Sequence, residues 1–103
     1  MVVIKINFNE SLKDLKGEIL KDKEKDLTLK DVSANALLGN YQDEKIDGEE
    51  KLKRFLLATK IYESKDELEL TIDEIKMTKD LIARGYSTLV TGRALQILDP
   101  HKK

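Results

Sequence analysis

Residues 2–8 read VVIKINF, and their pattern decides between a helical bundle and a mixed fold. Val2, Ile4, Ile6 and Phe8 take alternate positions, with Val3, Lys5 and Asn7 between them. Side chains of an extended chain point alternately to opposite faces. This period of two therefore predicts a half-buried strand with Val2, Ile4, Ile6 and Phe8 on its inner face. A one-residue slip would expose all four.

Working outward from that strand, NESLKDLKG (residues 9–17) predicts a turn or one short helical turn ending at Gly17. GEIL and DLTL then flank the charged run 21–25, which predicts a hairpin with its tip near Asp22-Lys23-Glu24-Lys25. Glu67 to Leu70 alternates again and predicts a third short strand.

The rest reads as helix. Thr28 is placed to cap LKDVSANALL, residues 29–38, with Gly39 as the stop. Asp47 caps a second helix over 49–62, with Glu50 at its third position. Leu52, Phe55, Leu56, Thr59 and Tyr62 form its apolar stripe, widened by Leu57, Ala58 and Ile61. That stripe predicts Phe55 at the centre of the core, where truncation to Ala would cost about 3–5 kcal/mol. Thr71 and Glu74 form a capping box for a third helix that Gly85 ends. Ser87 opens a fourth, which Pro100 stops. The expected fold class is α+β. It is a mostly helical single domain over 1–99, with four helices and a small N-terminal antiparallel sheet of two to three short strands. Residues 100–103 are expected to be a disordered tail.

Composition narrows function mainly by exclusion. A chain of 103 residues is one domain on length, and it has no Cys for disulfides, thiolate metal sites or a thiol nucleophile. The first residues lack a basic segment and a continuous apolar run, which argues against a secretory signal. No apolar run reaches the length of a membrane span. A cytoplasmic protein is the expectation. Basic and acidic residues number 7 and 6 in 1–30, 6 and 12 in 31–75, and 6 and 2 in 76–103. The overall charge of −1 argues against nucleic acid as the main partner.

Two stretches resemble functional motifs. IARGYSTLVTGRALQIL (82–98) resembles a helix–turn–helix, with Gly85 in the turn. The small-residue position four earlier falls on Leu81, however, and the apolar position six later on Thr91. An inward-packing αα-hairpin explains the stretch better, with Lys79, Arg84 and Arg93 as the DNA contacts of the alternative reading. DEKIDGEE (43–50) mimics a calcium loop through Asp43, Asp47 and Gly48. Lys45 and Arg54 occupy positions that need oxygen ligands.

The only His is His101, beyond Pro100, and no glycine-rich phosphate loop exists. No catalytic residue, metal or cofactor is expected. The apolar surplus of helices 49–62 and 88–98 points to a protein interface at Leu57, Ile61, Leu95 and Leu98.

The segment order, and most specifically LTLKDV, NALL, GEEKLKRF and the following A.KIY, resembles an uncharacterised group of small bacteriophage and prophage proteins of about this length. The resemblance covers most of the chain. It implies a phage-encoded accessory protein of the bacterial cytoplasm and transfers no site residues. The functional expectation is a non-enzymatic protein-interaction module that binds a protein partner or a second copy of itself. A small DNA-binding regulator using 72–98 is the alternative.

Overall fold

In the computed structural model, which describes residues 3–41 and 44–99, the alternating N-terminal stretch is a strand, β1 (Val3–Asn7). Ile6 and Phe8 are buried and Ile4 is half-buried, while Val3 faces out. Val2 lies outside the described residues, as do Asp43, Pro100 and His101. Two further strands, β2 (Lys21–Asp22) and β3 (Lys25–Asp26), make the expected hairpin. The partner of β1 is β4 (Glu67–Thr71), antiparallel, with Ile4 opposite Leu70 and Ile6 opposite Leu68. The other face sets Lys5 opposite Glu69, an opposite-charge cross-strand pair.

Of the two expectations for residues 9–17, a turn or a helical turn ending at Gly17, the structure takes the turn, with extended chain on either side of it. Ser11 pairs with Thr28, and Lys13 with Ile19. Three leucines close a ring of backbone hydrogen bonds. Leu12 N–H donates to Leu27 O, Leu27 N–H to Leu20 O, and Leu20 N–H to Leu12 O, each at 2.8 Å. The bend at Leu15-Lys16-Gly17 needs a left-handed residue at its end, and Gly17 supplies it at φ 90°. The Asp14 carboxylate accepts from Lys16 N–H and Glu18 N–H and holds the bend.

Four helices follow, α1 (Leu29–Leu38), α2 (Gly48–Glu63), α3 (Ile72–Gly85) and α4 (Thr88–Leu98). Each begins where an N-cap side chain reaches a free backbone N–H: Thr28 to Asp31, Asp47 to Glu50, Thr71 to Glu74 and Ser87 to Val90. At α3 the box is complete, because Glu74 also accepts from Thr71 N–H. Helix α1 packs on both α2 and α3, and α4 packs on α3. The core is one cluster that joins Ile6, Phe8 and Leu70 of the sheet region to Leu29, Ile61, Ile82 and Leu98 of the helices. The molecule is therefore a single-domain α+β fold, mostly helical, with a small antiparallel sheet. Among the described residues no helix is long and apolar enough to cross a membrane.

Helix α2 is turned the other way from the sequence expectation. Its buried residues are Arg54, Leu57, Ala58 and Ile61. Phe55, expected at the core centre, is 53 % exposed, and Leu52, Leu56 and Tyr62 are exposed beside it. The large loss expected for a buried Phe does not apply at this position.

Candidate protein interface

At 100° per residue, the buried positions 54, 57, 58 and 61 occupy one side of α2, and 52, 55, 56, 59 and 62 occupy the opposite side. A helix apolar on both sides is ordinarily enclosed by protein. Here one side meets α1, and the other carries an open ridge. Beside the ridge, α1 and α2 form a groove of about 350 Å³. Ala34, Ala58 and Thr59 line its middle, Leu38 and Phe55 stand toward one end, and Tyr62 toward the other. Leu38 is itself exposed. A second groove of about 390 Å³ runs between α2 and α3 past Leu56 and Met77. Leu38, Leu52, Phe55, Leu56 and Tyr62 are each more than half exposed, an unusual concentration of large apolar side chains in water.

The rotation of α2 follows from one ion pair. Arg54 is only 7 % exposed, and burying an unpaired guanidinium is prohibitive. Glu44, in the connection ahead of α2, answers it with both oxygens: Nη1 to Oε1 at 2.6 Å and Nη2 to Oε2 at 2.7 Å. A planar fork on a carboxylate is the strongest geometry available to such a pair. Glu50 adds an oxygen 3.6 Å from Nε, beyond hydrogen-bond reach. Hydrogen bonding to Arg54 holds the Glu44 carboxyl below its usual range. With the Arg54 charge paired, though its Nε has no hydrogen-bond partner, the narrow face of Leu57, Ala58 and Ile61 lies against α1, where Ala34 also offers a small side chain.

The same connection is pinned by Tyr41. Its hydroxyl donates to Ala36 O at 2.6 Å and lies 3.4 Å from Leu81 O, so it spans α1 and α3. Arg84 stacks over its ring at 5.4 Å and reaches Glu44 Oε2 at 3.3 Å. Burial raises the Tyr41 hydroxyl above the usual tyrosine range.

The interface residues expected from sequence are not surface. Leu57, Ile61 and Leu98 are buried, and Leu95 is half-buried against the core. The surplus apolar surface exists, but on Leu52, Phe55, Leu56 and Tyr62, the residues assigned to the core. Periodicity reads one stripe widened by Leu57, Ala58 and Ile61; the structure buries that widening, together with Arg54, and leaves the stripe itself exposed.

The cations of the DNA reading are engaged within the chain. Lys79 pairs with Asp99 at 3.1 Å and Arg84 with Glu44. Arg93 donates to Lys13 O at 3.1 Å and to Asp14 O at 2.9 Å, tying α4 to the bend before Gly17. Phosphate contacts supply most non-specific DNA affinity, and these three cations already have partners within the chain. Of the calcium-like stretch, Asp47 caps α2 and Asp43 lies outside the described residues. Among the described residues no group of three or more His, Cys, Asp or Glu side chains could hold a metal ion. Comparison of the chain with protein-family models, curated proteins and solved structures finds no match, so the functional reading rests on this geometry.

Proposed function

We propose that the chain is a non-enzymatic protein-interaction module whose binding face is the outer side of α2 with the groove it shares with α1. The observation that carries this reading is the exposed ridge of Leu52, Phe55, Leu56 and Tyr62 on a helix whose other side is already packed. Leaving such a ridge in water forfeits about 25 cal/mol for each Å² of apolar surface that a partner would cover. We further propose an accessory role by contact in the bacterial cytoplasm, on the sequence resemblance to small phage and prophage proteins alone.

Photo-crosslinking in the producing cell tests the reading. A benzophenone side chain replaces Phe55 or Tyr62, with exposed Lys76 on α3 as the control position. The expected result is a discrete protein adduct from positions 55 and 62 and none from 76. Absence of any adduct from 55 and 62 would sink the reading.

A further inference from the structure

We propose that the groove between α1 and α2 receives an amphipathic helix of another protein, with a Lys or Arg of that helix over Asp31 and Glu63. The proposal rests on the reading of this face as a binding face. It adds the chemistry of what the face binds.

The groove is apolar in its middle and charged at its ends. Lys30 Nζ donates to Ser64 O at 2.6 Å, which ties the start of α1 to the end of α2. The two helices therefore run antiparallel. Asp31, in the first turn of α1, and Glu63, the last residue of α2, share one end of the groove with Tyr62. Neither carboxylate is in an ion pair among the described residues. Asp31 accepts from the Thr28 hydroxyl at 3.1 Å, a neutral donor that leaves its charge in place. The Lys30 ammonium beside it is committed to Ser64 O. At the other end, next to Leu38 and Phe55, stand Lys51 and Arg54. Arg54 is paired with Glu44, and exposed Lys51 is in no ion pair among the described residues. Such a gradient selects a cation over Asp31 and Glu63 and disfavours one beside Lys51.

The walls favour a helix over an extended segment. An extended peptide needs main-chain hydrogen-bond partners. Helices α1 and α2 bond their own backbone groups along the groove. Its polar side chains are engaged too, since Thr59 Oγ1 donates to Phe55 O at 2.9 Å and Asn35 hydrogen-bonds Tyr86. A helix arrives with its backbone already satisfied, and small Ala34 and Ala58 leave room for its side chains to seat between α1 and α2. From Asp31 to Leu38 is about 10 Å along the α1 axis, two helical turns. One apolar side chain beside Leu38 and Phe55, a second over Ala34 and Ala58, and a cation one turn further therefore fall on one helix face at i, i+4 and i+7.

Titration of the full chain with two blocked synthetic peptides of about four turns, followed by backbone amide shifts, tests this. Both peptides carry Leu at i and i+4. One has Arg at i+7 and the other Glu. The parent chain should bind the Arg peptide several-fold more tightly, the size of one exposed ion pair set against a like-charge pair. The largest shifts should fall at Ala34, Ala58 and Thr59. Glu63→Lys with Asp31→Asn should reverse the preference. Both proteins meet the same two peptides, so any difference in the peptides' own helicity cancels. Phe55→Glu should weaken both peptides. No binding of the Arg peptide at millimolar concentration would overturn the proposal. So would a preference that the charge change leaves intact, or shifts centred on another face. Crosslinks from positions 55 and 62 in a chain that shows no preference for Arg leave the binding face standing and remove only the cationic helix. Neither crosslink nor peptide binding removes both.

Discussion

Arg54 and Glu44 hold the orientation of α2, and their pairing has a pH signature. The Glu44 carboxyl is held below its usual value of 4.5, chiefly by hydrogen bonding to Arg54. The unfolded chain therefore takes up this proton at higher pH than the folded one. The stabilisation is fully present above the ordinary carboxylate value and is lost as pH falls through the depressed folded value. Urea unfolding midpoints of the parent chain should accordingly fall on acidification below about pH 4.5. Glu44→Gln, which cannot ionise, should start lower at neutral pH and converge on the parent in acid. Parallel curves for the two proteins would show that the pair does not act as described. At this scale the sequence is least legible. Arg54 enters the sequence reading only as a misfit in the calcium-like stretch, and the carboxylate that justifies its burial comes from a connection with no periodicity to mark it.

Elements were legible to the extent that their causes are local. All four caps could be read because each acts within three residues of its own position, as Thr71 and Glu74 do. The hairpin at 21–26 was equally legible, because a charged tip between short alternating runs specifies a turn whatever the rest of the fold does. The facing of α2 was not, since the spacing is helical all round and the choice is made by two distant partners, Glu44 for Arg54 and α1 for the side carrying Leu57, Ala58 and Ile61. The turn ending at Gly17 was legible because its cause is local, while the pairing of its flanks, Ser11 with Thr28 and Lys13 with Ile19, was not. The hairpin tip still carries local strain. Lys23 and Glu24 sit at φ 52° and 75°, as a two-residue turn with both residues left-handed requires. A side chain there costs roughly 1–2 kcal/mol, partly offset when glycine replaces it by the entropy the unfolded chain gains. Glu24→Gly should therefore stabilise the protein by up to about 1 kcal/mol, a rise of about 4–8 °C in Tm. An unchanged or lower Tm by calorimetry would show that the tip is not strained.

The whole molecule depends on contacts between segments far apart in sequence. Alternation marks 3–7 and 67–71 as strands, but nothing in either names the other as its partner. Gly39 and Gly85 show the same limit. Both read as helix stops, yet Gly39 has an ordinary φ of −72° and Gly85 is the last residue of α3. Their common feature is Tyr41, since a Cβ at either position would stand 3.2 Å from its hydroxyl oxygen. Two glycines, one just past α1 and one at the end of α3, thus make room for one side chain that bonds Ala36 O and approaches Leu81 O. A double-mutant cycle tests that arrangement. Alanine at Gly85 should gain up to about 1 kcal/mol of helix propensity, which crowding against the hydroxyl offsets in the parent chain. Tyr41→Phe loses the Ala36 bond, at about 0.5–1.5 kcal/mol, and removes the obstructing oxygen. Gly85→Ala should then be neutral or destabilising beside Tyr41 and stabilising beside Phe, with a coupling on the order of 1 kcal/mol by urea unfolding of the four proteins. Additivity within about 0.3–0.5 kcal/mol would mean that the hydroxyl does not set the spacing of α1 and α3.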